Sequence, residues 1–361
     1  MSESVRVLIA EDSPTVRRYL RHLITEAPGM KVIGEANDGE EAVRMVQRLQ
    51  PDVVSMDINM PVLDGLEATR QIMNFCPTPV VVVSGLLDID IHLSMNALQA
   101  GALAVVGKPP DKRSPEFPAR LQQLLTTLKA MSRVHVIARR DFQHIDEELY
   151  ETHGTRPTWG SRPSRPSRPI RRTRPEVIAI GASTGGPGAL HRILSTLPDN
   201  LAVPIVIVQH MPDDFITGMA RWLNNNTNLS VSVARDGRIL RPGMVAIAPG
   251  DMHLEVSRYG TEILLKLDKN PGTSRYQPSV DVLFDSIAKQ CGSAAVGVLL
   301  TGMGDDGARG LLAMRRAGAY TLVQDEASCT VFGMPHAAIE MGAAEKVKAL
   351  SNLPAELLKL L

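Results

Sequence analysis

Val177-Ile178-Ala179-Ile180-Gly181-Ala182-Ser183-Thr184-Gly185-Gly186-Pro187 is a β-branched apolar run that stops in small residues and a proline. Such a run reads as a buried strand, and the glycines with Pro187 read as a tight turn into a helix, since proline is favoured at the first helical position. Gly181, Ser183 and Gly185 also satisfy Gly-x-Ser-x-Gly between strand and helix, where small neighbours let a sharp turn lift a serine hydroxyl above the sheet. Two other readings stand beside a nucleophile turn: an anion-cradling loop with its amides at a helix N-terminus, and a plain turn. The Walker lysine is missing and no Gly-x-Gly-x-x-Gly spans the turn.

Outward from this stretch, strand-sized runs recur at 204–209, 231–234, 245–248, 295–300 and 320–324, separated by helical periods. They predict a doubly wound α/β domain with a mostly parallel sheet, which would be a serine-hydrolase domain if the turn at Ser183 presents a nucleophile. A hairpin is expected within it, 253–257 and 262–267 flanking the turn Arg258-Tyr259-Gly260. A serine needs a base to take its proton as it attacks. His210 ends the run 204–209, so in a parallel sheet it projects at the same edge as Ser183; His22, His92 and His191 fall on helix-like stretches, and His135, His144 and His153 fall near or in a connector. The third partner is an acid that orients the imidazole. The run 295–300 ends in Thr301-Gly302-Met303-Gly304-Asp305-Asp306-Gly307, and either aspartate is also a candidate cap for the next helix. Asp306 is assigned to the catalytic set, and Asp305 to capping or solvent. The order Ser, His, Asp differs from the Ser, Asp, His of α/β-hydrolases, so the same chemistry is expected on a different fold.

The first part of the chain carries five runs, 5–10, 31–35, 52–56, 79–84 and 103–107, and closes with a helix over 118–131. Five βα units predict a five-stranded parallel, flavodoxin-like sheet. Glu11-Asp12, Asp57, Ser84 and Lys108 fall at the C-terminal ends of its strands, where open α/β sheets bind ligands. Hard carboxylate oxygens suit Mg²⁺. With that charge neutralised, Asp57 is placed to attack a phosphoryl group and form an acyl phosphate, and Ser84 and Lys108 to contact its oxygens. The bland alternative is helix capping, as Asp12 could do before Pro14.

At 361 residues the chain is sized for two domains and a connector: 1–131, 132–175 and 176–361. Apolar residues at 44% and charged residues at 22% suit two ordinary cores and exclude wholesale disorder. Equal counts of bases and acids, 39 each, leave no global field to recruit nucleic acid or an anionic membrane. The connector departs from that balance, with seven arginines and no acid between Arg156 and Pro175, and three Ser-Arg-Pro copies in 161–169. Proline at every third position removes backbone donors and favours extended, solvated chain, so a stiff linker is expected rather than a nucleic-acid arm. A short helix is expected over 142–151. Cys76, Cys291 and Cys329 are too scattered for a disulfide framework or paired zinc ligands. No apolar run reaches the length of a membrane span, and Met1-Ser2-Glu3-Ser4-Val5 lacks the layout of a secretory signal, so a soluble cytoplasmic protein without direct membrane insertion is expected.

As a set, Glu11-Asp12, Asp57 with Met60-Pro61 and Asp64-Gly65, Ser84, and Lys108-Pro109 resemble a response-regulator receiver domain over residues 5–131. The resemblance implies that Asp57 is the phosphoacceptor, that Glu11 and Asp12 join it in binding Mg²⁺, that Ser84 and Lys108 sense the phosphoryl group, and that a histidine kinase is the donor. One departure is Val105, where receivers often carry an aromatic residue, so an aromatic flip is not expected to be the switch. Behind it, Gly181 to Pro187, Gln209-His210-Met211-Pro212 and Leu300 to Gly307 resemble the chemotaxis protein-glutamate methylesterase (CheB) family. That likeness covers nearly the whole chain. It implies Ser183, His210 and Asp306 as catalytic triad, the Met303 amide as an oxyanion donor, methyl-accepting chemoreceptors as substrate for demethylation and deamidation, and no cofactor for hydrolysis. It also implies that the unphosphorylated receiver packs over the active-site edge. A DNA-binding regulator and a catalytically silent partner-binding regulator are the rival classes.

Overall fold

The structure is a computed structural model that describes residues 4–85, 91–134, 136, 173–270 and 274–361. The arginine-rich stretch up to Arg172 and the helix expected over 142–151 lie outside the described residues. The first sheet is built from β1 (Val5–Ala10), α1 (Pro14–Thr25), β2 (Met30–Ala36), α2 (Gly39–Leu49), β3 (Val53–Met56), α3 (Gly65–Phe75), β4 (Val80–Ser84), α4 (Ile91–Ala100), β5 (Ala104–Gly107) and α5 (Phe117–Met131). Its order is β2-β1-β3-β4-β5 with every pair parallel. Helices cover both faces, so β3 and β4 are buried throughout and consist almost wholly of valine and other apolar residues. Local signals start the helices: Ser13, Asp38 and Asp64 accept hydrogen bonds from the amides of Val16, Glu41 and Glu67. Ser13 therefore caps α1, which leaves Asp12 exposed and free of the capping role it was weighed for.

The turn after β3 holds one strained residue. Val62 has φ 66° and is 79% exposed, so a β-branched side chain occupies the left-handed region with little packing to repay it. Val62→Gly is expected to raise the urea midpoint of the first sheet's domain, through a stability gain of about 0.5–1 kcal/mol once glycine's extra unfolded-state entropy is set against the relieved strain. A lower midpoint would show that the valine makes contacts that outweigh its backbone.

The second sheet comprises β6 (Val177–Ala182), α6 (Gly186–Leu194), β7 (Ile205–Gln209), α7 (Asp213–Asn226), β8 (Ser230–Val233), β9 (Met244–Ile247), a hairpin of β10 (His253–Tyr259) and β11 (Glu262–Asp268), α8 (Val280–Gln290), β12 (Ala295–Leu299), α9 (Ala308–Arg316), β13 (Tyr320–Gln324), α10 (Met334–Glu340), β14 (Lys346–Lys348) and α11 (Leu353–Leu360). The strand order is β14-β13-β12-β6-β7-β9-β8, parallel throughout, and β10-β11 stands as a separate antiparallel ribbon. Two details differ from the sequence expectation. The hairpin turns at Gly260-Thr261, because Tyr259 pairs with Glu262 and Gly260 alone supplies a positive φ, 60°. The edge strand β14 is three residues long with two lysines, too short and too charged to read as a strand, although charge is a common guard on an exposed edge.

From β6 the chain winds one way through β7 and β9, and later the other way through β12 and β13. The ends of β6, β7 and β12 thus form the crevice at which doubly wound sheets carry their chemistry. The two sheets meet through α4, which packs on α6 and α7. Met95 and Leu98 of α4 share an apolar cluster with Leu190, Ile193 and Met219, and Gln99 Nε2 lies 3.3 Å from His191 Nδ1. The helices under α4 are those that leave the Ser183 and His210 turns.

Candidate active site

Register brings the candidate residues to one rim. Ala182 pairs with Gln209 and Gly181 with Leu299, so Ser183, His210 and the loop from Thr301 leave three adjacent strands side by side. Backbone bonds lock the rim: His210 N donates to Ala182 O at 3.0 Å and Ser183 N to Thr301 O at 3.0 Å. Gln209 straps two turns together, its Nε2 donating to Ser183 O at 2.9 Å and His210 O at 3.1 Å. Thr301 straps the third, with Oγ1 donating to Thr184 O at 2.9 Å and accepting from Val331 N at 2.9 Å, and its amide donating to Gln324 Oε1 at 2.9 Å. Gly185 closes the serine turn with φ 80°, and a β-carbon there would stand 2.4 Å from Thr330 Oγ1. Glycine is required at that point for its backbone and for its lack of a side chain.

Asp306 is 4% exposed and fully engaged. Its Oδ2 accepts from His210 Nε2 at 2.8 Å and from Val280 N at 2.7 Å. Its Oδ1 accepts from Ser279 Oγ at 2.8 Å and Asp281 N at 3.1 Å. Burial alone would raise its pKa, but the His210 contact and the Val280 and Asp281 amides at the start of α8 outweigh it and hold the carboxyl below the ordinary aspartate value. An ionised carboxylate accepts only, so His210 is the Nε2–H tautomer and Nδ1 is left to accept a proton. Neither Asp305 nor Asp306 caps α9. Asp281 of α8 does so, its Oδ1 accepting from Gly307 N at 3.0 Å and Gly310 N at 2.8 Å, and Asp305 is exposed.

Among the described residues no hydrogen bond joins Ser183 to His210; the two sit on neighbouring strand ends, and contacts of this kind commonly tighten only around a bound ligand. Met303 is 45% exposed at the lip of the crevice. The loop presenting it is pinned by Gly302 N on Val331 O at 3.0 Å and by Gly333 N and Met334 N on Gly302 O at 3.1 and 2.9 Å. Sequence reasoning missed the supports. Gln209 and Thr301 stand inside the quoted motifs, where they read as strand ends. Ser279 is legible as the N-cap of α8, to which Val282 N donates, but nothing local ties it to Asp306. The buried His253, whose Nδ1 accepts Ser279 N at 3.2 Å, carries no sequence signal.

The first sheet has its own crevice. Ala10 pairs with Met56, and Asp57 N donates to Ala10 O at 2.8 Å, so Glu11 and Asp57 emerge together. One carboxylate oxygen from each of Glu11, Asp12 and Asp57 lies within 4.8 Å of the others. Lys108 Nζ reaches Glu11 Oε2 at 2.7 Å and Asp57 Oδ1 at 3.0 Å, and Lys108 N donates to Ser84 O at 3.0 Å. Glu11 Oε2 is buried and makes that ion pair without an aligned hydrogen bond. Burial pushes Glu11 and Asp57 upward, with Lys108 pulling the other way. Burial also works against the Lys108 ammonium, yet Glu11 and Asp57 together hold its pKa above the ordinary value. Three crowded hard-oxygen donors fit a divalent cation such as Mg²⁺, which would relieve their repulsion.

The receiver-domain profile of response regulators matches residues 7–114, and the profile described as CheB methylesterase matches residues 178–357. Protein-glutamate methylesterase/protein-glutamine glutaminase 4 of Myxococcus xanthus is 45% identical over 356 residues, 99% of this chain and 97% of the relative. The chain belongs to the CheB methylesterase family. A second family member, from Anaeromyxobacter dehalogenans and named protein-glutamate methylesterase/protein-glutamine glutaminase 3, is 44% identical over 96% of each chain. The crystal structure of the Thermotoga maritima CheB catalytic domain is 38% identical and superposes with a TM-score of 0.51, covering 52% of this chain and all of that one. In this CheB-family chain the acidic crevice falls in the receiver match, and Ser183, His210 and Asp306 fall in the methylesterase match.

Proposed function

We propose that this chain removes methyl groups from glutamate methyl esters of chemoreceptors, releasing methanol, and deamidates receptor glutamines, at a rate set by phosphorylation of Asp57. The observation that carries the reading is the half-buried His210 bonded to the buried Asp306 at the strand end beside Ser183. Ser183 Oγ attacks the ester carbonyl as His210 Nδ1 takes its proton. Backbone amides, that of Met303 among them, hold the oxyanion. The leaving methoxide collects the proton and departs as methanol. Water, deprotonated by the same imidazole, then cleaves the acyl-enzyme to free glutamate and Ser183. With a glutamine the leaving group is ammonia. Asp306 keeps the imidazole in the tautomer that leaves Nδ1 basic and stabilises the imidazolium.

In this reading residues 1–131 are the receiver, 132–175 the linker and 176–361 the catalytic domain, and the protein works in the cytoplasm on the receptors' cytoplasmic helices. Glu11, Asp12 and Asp57 would hold Mg²⁺, which supplies charge neutralisation at phosphoryl transfer from a histidine kinase. Lys108 and Ser84 take the oxygens of the group that Asp57 accepts. A phosphoryl group brings up to about two negative charges into a crevice whose Lys108 is already paired. The receiver's α4 lies on the two helices that position the catalytic turns, and Val331, which binds Thr301, shares an apolar cluster with Val106, Met131 and Val134. Val105 lies against the α4 cluster as well, a small apolar contact in place of an aromatic rotor. Loosening these contacts is what phosphorylation has to work on.

The test is methanol release from methylated receptor, with and without an acyl-phosphate donor. Parent protein is expected to gain about 5- to 150-fold in rate, the usual span of coupling between sites, whereas Asp57→Asn stays at its basal rate. Equal stimulation of both proteins would remove Asp57 from the reading.

A further inference from the structure

Tyr276 lies on the segment between β11 and α8, three residues ahead of the Ser279 that binds Asp306. Its ring is stacked on the imidazole of His210, with centroids 4.9 Å apart and planes 5° from parallel. Its hydroxyl reaches across to the loop beside Met303: a β-carbon on Gly304, which has φ 88°, would stand 2.7 Å from Tyr276 Oη. The backbone of Tyr276 is tied to Ser274, whose Oγ accepts from Tyr276 N at 3.2 Å and donates to Tyr276 O at 3.0 Å. Burial, then Asp305 and Asp306, push the phenol pKa upward against Arg275, so the ring stays neutral.

Resting on the assignment of His210 as base, we infer that Tyr276 is a positioning residue of the hydrolysis. A flat face against His210 restrains the imidazole from rotating about its Cβ–Cγ bond, which keeps Nε2 on Asp306 and leaves Nδ1 available for the Ser183 proton. An aromatic face also favours a cation stacked on it over a neutral ring. His210 becomes a cation only as the proton leaves Ser183, so that contact strengthens along the reaction coordinate. The phenol edge meanwhile fills the space over Gly304 and holds the turn that presents the Met303 amide. The charged groups acting on the Tyr276 ring are Asp305, Asp306 and Arg275, and Asp306 is also the carboxylate bonded to His210; none of them is altered by changing Tyr276.

The pH dependence of kcat/KM for methanol release separates this from a merely structural role. Tyr276→Leu is expected to lower kcat about fivefold to tenfold with KM nearly unchanged, and to move the acidic limb of the profile down by about half a pH unit, since loss of the aromatic face disfavours the imidazolium. Tyr276→Phe keeps the face and is expected to restore the limb. A Tyr276→Leu protein that melts with the parent yet shows the parental kcat and limb overturns the inference. So does a Tyr276→Phe protein as impaired and as shifted as the leucine variant. Ser183→Ala run beside them keeps the two readings apart: activity surviving in it removes the serine mechanism itself, while an inactive Ser183→Ala with an unperturbed Tyr276→Leu removes only the role of Tyr276.

Discussion

Ser183→Ala is expected to abolish methanol release from methylated receptor, by about 10⁶-fold in kcat, the scale seen when a serine nucleophile is deleted. The structure makes that loss chemical. Ser183 N is committed to Thr301 O, and the Ser183 carbonyl to Gln209, bonds that alanine keeps. Alanine also keeps the β-carbon that packs against Gly302, where an added β-carbon would come within 2.7 Å. Only the hydroxyl disappears, from a half-buried position with no hydrogen bond to His210 among the described residues. The melting temperature should therefore hold, and the variant should still compete for methylated receptor, because nothing that shapes the crevice has moved. Residual turnover from the oxyanion donors and binding alone would remain far below the parent. Release at the parental rate would mean that the hydroxyl is not the attacking group.

Much of the fold was legible because both sheets are parallel and buried on two faces, so each strand announces itself as a short apolar run between helical periods. Val80 to Ser84 and Ile205 to Gln209 are of this kind. The positions of Ser183, His210, Asp57 and Lys108 at strand ends were legible for the same reason, as the first polar residues beyond such runs. What hid were contacts made by chain distant in sequence. Asp306, assigned to the catalytic set with capping as the alternative, gave no sign of its backbone partners: it accepts from the start of a different helix, while Asp281 from that helix caps α9. Tyr276 sits in an irregular segment with no period to place it, and stacking on His210 across more than sixty residues leaves no local mark. The edge strand β14 and the Gly260-Thr261 turn were missed because solvent exposure and backbone torsion, more than hydrophobic pattern, decide them.

Asp306→Asn is expected to lower kcat/KM for methanol release by about 10⁴-fold, as the same change does in other serine-histidine-aspartate sites, with little effect on KM. The reason can be followed atom by atom. Every oxygen of Asp306 faces a backbone N–H, Val280 N on Oδ2 and Asp281 N on Oδ1, so the amide nitrogen of asparagine meets a donor in either orientation. Placed at Oδ2, the amide also points a donor at His210 Nε2, and the imidazole must shift its proton to Nδ1 to accept it. Nδ1 then has no lone pair for the Ser183 proton, and catalysis stops at its first step. Placed at Oδ1, it leaves His210 in the right tautomer but opposes Ser279 Oγ, which already accepts from Val282 N, and removes the negative charge that stabilises the imidazolium. Both orientations strand a buried N–H, a loss of about 1–3 kcal/mol of stability that a urea titration resolves. Ser279→Ala provides the comparison: it removes one neutral donor, keeps the charge and both amides, and is expected to cost far less than 10⁴-fold in rate. Should Asp306→Asn keep its activity within tenfold of the parent, the buried carboxylate would be a structural bond to α8, and His210 would have to find its orientation from Tyr276 and the backbone alone.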